Sequence, residues 1–160
     1  MPAVRHLTPA DQEWKLATLE RGWGSAAVAR LGELVDVTDL PGFVAERRGA
    51  RVGLTTFADR PDGIEVVTIQ ALVEGEGVGR ALLDRLRSLA IEAGAPRLWL
   101  ITTNDNLRAR SFYMRWGMNM VRVVHEGVAV SRGVKPSIPV RGSSGIEIRH
   151  ELEFEYRLPS

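Results

Sequence analysis

The chain reads as an α/β fold with a mixed central sheet: antiparallel N-terminal strands, a parallel strand–helix–strand crossover, and a returning C-terminal strand. Three observations predict it. A β-branched run at 64–72 is followed by a helix-period pattern at 78–93 and then by a near-continuous apolar run at 98–102. Turn signals at 48–51 and 59–63 divide the preceding extended segments. Near the end, Leu152, Phe154, Tyr156 and Leu158 alternate with Glu151, Glu153, Glu155 and Arg157, the period of a strand with one buried face.

Taken in order, residues 3–7 suit a short first strand. Thr8 and Pro9 open a helix, Thr8 as an acceptor for a first-turn N–H and Pro9 at the first helical position. That helix runs to about Arg21 and stops near Gly22 and Gly24. Residues 25–39 fit neither period, and a helix fragment or an irregular strand is expected there. Strands at 42–47 and 52–58 flank the first turn. Strand 64–72 follows the Asp59–Gly63 turn, where Pro and Gly fix the reversal. The next helix puts Val78, Leu82, Leu86, Leu89, Ala90 and Ala93 on one face, and Gly94 with Pro96 ends it. A shorter helix at 107–116 ends at Gly117, a strand returns at 118–124, and 125–145 is irregular. The strand–helix–strand unit should be right-handed.

Composition bounds what the fold can do. The 160 residues suit one domain spanning 1–160, and 44% hydrophobic residues suit a globular chain. With 21 basic and 20 acidic side chains the net charge is +1, which gives no support to a nucleic-acid grip. The absence of cysteine excludes disulfides, zinc-thiolate sites and cysteine nucleophiles. Three scattered histidines argue against a histidine-rich metal site. No apolar run reaches the ~18 residues of a membrane span, and the N-terminus lacks a signal-peptide core. The expected location is the cytoplasm.

Gly75, Gly77 and Gly79 stand where the second helix begins. Helix N-termini leave unpaired N–H donors and a partial positive charge, and a phosphate comes close when no Cβ intervenes. A pyrophosphate-bearing cofactor is the natural ligand; a tightly packed strand-to-helix turn is the plainer alternative. A Walker loop is excluded because Arg80–Ala81 stands where Lys–Ser or Lys–Thr is needed. A dinucleotide-binding turn is excluded by spacing and by its mid-chain position.

These residues, with a second cluster at 104–117, resemble the GNAT superfamily of acetyl-CoA-dependent N-acetyltransferases. That family's cofactor motif falls on Glu74, Gly77 and Gly79, and its downstream pattern on Asn106, Ala109, Phe112, Tyr113, Gly117 and Met118. Two positions depart: Glu74 replaces Gln or Arg, and Met118 replaces Phe. A carboxylate at 74 should repel a diphosphate, which Arg80 could offset. The resemblance implies acetyl-CoA as co-substrate and transfer of its acetyl group to a primary amine of a small molecule or peptide. It implies cofactor contacts at Glu74, Gly75, Gly77, Val78, Gly79 and Arg80. It implies others at Val67 and Ile69 on the central strand, with the oxyanion donor a backbone N–H near Ile69 where two parallel strands splay. Asn106, Ala109 and Tyr113 complete the expected set.

Amide formation from a thioester requires a base for the amine, because a Lys-like amine titrates near ~10.4. Glu65 is the candidate base, expected on the same strand face as Val67 and Ile69 and among apolar neighbours; a solvent-facing strand-edge Glu is the alternative. Tyr113 is the candidate acid for the departing sulfur, or else a core aromatic beside Phe112. Asn106 either caps the following helix or bonds the cofactor. Asn104 and Asp105 read as turn residues, the histidines as surface or loop residues, and the tryptophans as packing residues, with Trp23 open to an acceptor-pocket role. No metal is expected. The final strand could pair across a homodimer. A non-catalytic CoA-binding module on the same fold is the competing function, and a nucleotide-binding protein is a third.

Overall fold

The computed structural model describes residues 1–159, which divide into two compact units. Unit 1 contains Met1–Val28, Asp36–Leu98 and the chain from Arg157; unit 2 contains Ala29–Val35 and Trp99–Tyr156.

Unit 1 opens with β1 (Ala3–His6), a 3-10 turn (Pro9–Asp11) and α1 (Gln12–Trp23). Pro9 occupies the first helical turn as expected. Thr8 and Asp11 form a capping box: the Thr8 N–H donates to the Asp11 carboxylate at 2.8 Å, and the Thr8 hydroxyl lies 3.2 Å from the same carboxylate. Asp11 is buried and also accepts from Arg5 and Arg51. Those guanidiniums, Arg5 foremost, hold its carboxyl below the usual range. Helix α1 continues past Arg21 to Trp23, where left-handed Gly24 ends it.

Strands β4 (Gly42–Arg47), β5 (Ala50–Arg60) and β6 (Gly63–Ala71) form an antiparallel meander, with β1 beside β4. The β4–β5 reversal is shorter than the sequence suggests. Only Arg48 and Gly49 make it, both at positive φ (53° and 79°), the backbone of a two-residue hairpin turn. Helix α2 (Val78–Glu92) buries Val78, Leu82, Leu83 and Leu86, each worth ~1.5–3 kcal/mol of apolar burial; Ala93, expected on that face, is exposed. Strand β7 (Arg97–Thr103) begins in unit 1 beside β6, which gives the parallel pair of the strand–helix–strand unit.

The register of β5 on β6 changes one expectation. Thr56 opposes Thr68 and Phe57 opposes Val66, so Val67 has no partner and forms a β-bulge. Opposed residues share a face. Ile69, opposite Thr55, and Val66, opposite Phe57, therefore lie on one face, while Glu65, Thr68 and Gln70 lie on the other with Ala58, Thr56 and Leu54. Glu65 thus does not share a face with Ile69, because simple alternation fails at the bulge. The Glu65 face is turned toward α1, since the Gln70 amide abuts Gly22. The opposite face carries α2, since a Cβ on Gly53 would come within 2.4 Å of Val78 Cγ1.

Unit 2 holds α3 (Leu107–Trp116), β8 (Asn119–Val124), α4 (Gly127–Val134) and β9 (Glu151–Arg157), with strand order β7-β9-β8. The boundaries of α3 match the sequence reading; α4 lies in the stretch expected to be irregular. Residues 25–39 are a hairpin, β2 (Ala27–Arg30) and β3 (Glu33–Asp36). The final strand is buried on both faces through Phe154, not on one. Its acids have partners inside. The Glu151 carboxylate accepts from the Ser131 hydroxyl at 2.9 Å and the Leu31 N–H at 3.1 Å, and Arg122 pairs with Glu153 at 2.9 Å. Among the described residues no helix is long and apolar enough to cross a membrane.

Candidate active site

In unit 1, β6 ends at Ala71, and residues 72–77 form a bend that enters α2. The bend is anchored where the Leu72 N–H donates to the Val52 carbonyl at 2.8 Å. Gly75 (φ 72°) and Gly77 (φ 74°) are left-handed, a conformation that strains any residue with a Cβ. A Cβ on Gly75 would meet nothing within 4 Å, so that glycine opens onto free space. Gly77 is the N-cap of α2 and has no side chain to cap the helix. The first N–H to return to the helix is that of Ala81, on the Gly77 carbonyl. The amides of Val78, Gly79 and Arg80 precede it and point out of the N-terminus. No acidic side chain sits in that first turn, and Arg80 is exposed. This cradle fits a phosphate group. Gly53, which the sequence reading passed over, lets α2 lie close on β5 where the cradle leaves the end of β6. Glu74 is exposed, and Glu76 pairs with Arg47.

Glu65 is 1% exposed, which overturns the solvent-facing alternative. Its surroundings are not purely apolar either: Arg60 Nε donates to its carboxylate at 3.0 Å. Near it Thr56 and Thr68 join their hydroxyls at 2.6 Å. On the same face, the Gln70 Oε1 is buried and lacks a hydrogen-bond partner among the described residues.

In unit 2, the Asn106 side chain accepts the Ala109 N–H at 3.3 Å and so caps α3. Asn104 does more than turn the chain. Its Oδ1 accepts from the N–H groups of Arg149 and His150, each at 2.9 Å, and its Nδ2 donates to the Glu147 carbonyl at 3.0 Å. Tyr113 is buried, with ring centroids of Phe112 and Phe154 at 5.6 and 5.8 Å. Burial pushes its phenol up to about 12, so it stays protonated through the neutral range.

The model of the acetyltransferase (GNAT) family matches residues 9–118. The chain belongs to this family. The uncharacterized protein YxbD of Bacillus subtilis is 31% identical over 137 residues, 85% of this chain and 86% of YxbD. Among solved structures, a Bacillus cereus IAA acetyltransferase superposes with a TM-score of 0.71 at 18% identity, covering 99% of this chain and 100% of that one. A Bacillus subtilis acetyltransferase in complex with CoA gives 0.72 at 15% identity, covering 99% and 100%. At such identities these two superpositions show the GNAT fold, in agreement with the mixed α/β class read from the sequence. Family membership makes the chain an acyltransferase.

Proposed function

We propose that the chain, acting as one domain, transfers the acetyl group of acetyl-CoA to a primary amine. The observation that carries this reading is the cradle of left-handed Gly75 and Gly77 leading into an uncapped helix N-terminus. Such a turn offers the amides of Val78, Gly79 and Arg80 to a diphosphate. The CoA complex of the Bacillus subtilis acetyltransferase, which has this fold, supports the choice of ligand.

Acetyl-CoA supplies an acetyl group activated as a thioester. The chain's residues supply binding and proton management. On the central strand, Val67 and Ile69 offer backbone to the cofactor arm, and the Ile69 N–H is the oxyanion donor in this scheme. Glu65, buried and held by Arg60, takes the amine proton directly or through a water. As the C–N bond forms and the C–S bond breaks, the Tyr113 hydroxyl gives its proton to the departing sulfur. A phenol raised to about 12 keeps its proton through the neutral range, so it is in the donor form when the sulfur departs. Asn106 and Ala109 shape the start of α3, and the Asn106 side chain already serves as its cap.

The test is thiol release with acetyl-CoA over a broad panel of amines. Tyr113→Phe is expected to lower kcat by about 10²–10⁴-fold while CoA still binds. Glu65→Gln is expected to lower kcat/KM over the same range while CoA still binds. Turnover by Tyr113→Phe at the parent rate would take Tyr113 out of the acid role. CoA binding without turnover on any amine would favour a non-catalytic CoA-binding module instead.

A further inference from the structure

We propose that Arg47 and Glu76 together set the affinity of the glycine turn for its phosphate-bearing ligand, with Glu76 competing against the ligand's phosphates for the Arg47 guanidinium. The proposal rests on the acetyl-CoA reading and extends it to two residues that the family motif leaves variable.

The turn is acidic where a diphosphate would lie. Glu74 and Glu76 bracket Gly75, and Glu76 is held between the two left-handed glycines. Unopposed, these carboxylates would repel phosphate oxygens and cancel the partial positive charge of the α2 N-terminus. Glu76 is not unopposed. Arg47, the last residue of β4, reaches it with Nη1 on Oε1. The meander makes this reach possible. Because β5 runs antiparallel to both its neighbours, the β4–β5 reversal lies at the same end as the exit of β6, where Gly53 opposes Ala71 and Val52 anchors Leu72. The left-handed Arg48–Gly49 reversal follows directly on Arg47 and keeps the guanidinium at this end.

Exposure decides how the pair behaves. Arg47 is 38% and Glu76 39% exposed, so water screens the pair and separating it strands no buried charge. A phosphate offers the same guanidinium more acceptor oxygens, more charge and bidentate geometry. Arg47 therefore leaves Glu76 for a bound phosphate at little cost. Without a ligand it neutralises Glu76. Glu76 acts as a brake on cofactor affinity and Arg47 as its release, both in unit 1 and both independent of the residues assigned to chemistry.

Calorimetric titration of CoA into the full chain at low ionic strength tests this in four proteins: the parent, Glu76→Gln, Arg47→Gln and the double variant. Glu76→Gln is expected to bind CoA about 3- to 10-fold more tightly, and Arg47→Gln about tenfold more weakly. The double variant should fall nearer the parent than Arg47→Gln does. These differences should shrink as salt is raised. The gain expected of Glu76→Gln is an outcome that misfolding cannot imitate. Titration with dephospho-CoA locates the contact. If the Arg47→Gln loss disappears, Arg47 serves the 3′-phosphate; if it persists, Arg47 serves the diphosphate; either result supports the proposal. Glu76→Gln binding no better than the parent, or Arg47→Gln binding as well as it, would overturn the proposal and leave the acetyl-CoA reading standing. A parent chain that binds no CoA would overturn that reading itself.

Discussion

The glycine turn of unit 1 and the asparagine turn of unit 2 use their polar groups in opposite ways. In the first, Gly75 opens onto free space and the N-terminus of α2 has no side-chain cap. In the second, Asn104 satisfies two backbone N–H groups and one carbonyl of the segment at 147–150, and Asn106 caps α3. Asp105 is drawn in as well. It accepts from the Thr103 hydroxyl at 2.5 Å, and its carboxylate fills the space a Cβ on Gly142 would need. A turn built for a ligand leaves donors unclaimed, at some cost in local stability. A turn built for the fold claims its donors from within the chain. Motif spacing alone does not separate the two, because both turns are rich in small polar or glycine residues.

This contrast can be broken by moving stability and affinity separately. The largest effect is expected from Gly77→Val. A branched side chain at φ 74° strains the backbone by about 1–3 kcal/mol and places methyl groups beside the cradle. CoA affinity should fall by about 10–100-fold in calorimetry. Asn104→Ala should do the reverse. Loss of its three side-chain bonds is expected to cost about 1–2 kcal/mol in denaturant unfolding, with CoA affinity of the folded protein unchanged. The smallest effect belongs to Asn106→Ala, which removes a cap worth about 0.5–1 kcal/mol. Unchanged CoA affinity in that variant would confirm that Asn106 serves the helix; a tenfold loss would assign it to the cofactor as well.

The elements that carry the candidate site were readable in the sequence where local chemistry determines them. Helix α3 begins after Asn106 and ends at Gly117 because a cap and a glycine mark its ends, and α2 follows its apolar period. What escaped depends on partners distant in the chain. Helix α4 carries two glycines and three valines, a poor helical sequence. It holds because Ser131 bonds Glu151 and the Val128 N–H meets the Arg149 carbonyl. The same Glu151 reaches Leu31, in the hairpin that neither period described. Glu65 could be picked out by its place on the strand, but its partner could not. Arg60 is five residues away in sequence and is brought to it by the β5–β6 reversal. Gly53 reveals its purpose only once α2 is laid against it.

The unpaired Val67 has one more consequence. A strand is a parity code, with odd and even positions on opposite sides, and a single supernumerary residue inverts that code for everything on one side of it. Pairing Val67 with Phe57, with no bulge, would restore unbroken alternation and transpose the segment before it. Glu65 would be expelled to the α2 side while Ile69 kept its place. The carboxylate's orientation is thus written in the register of β6 as much as in the identity of residue 65.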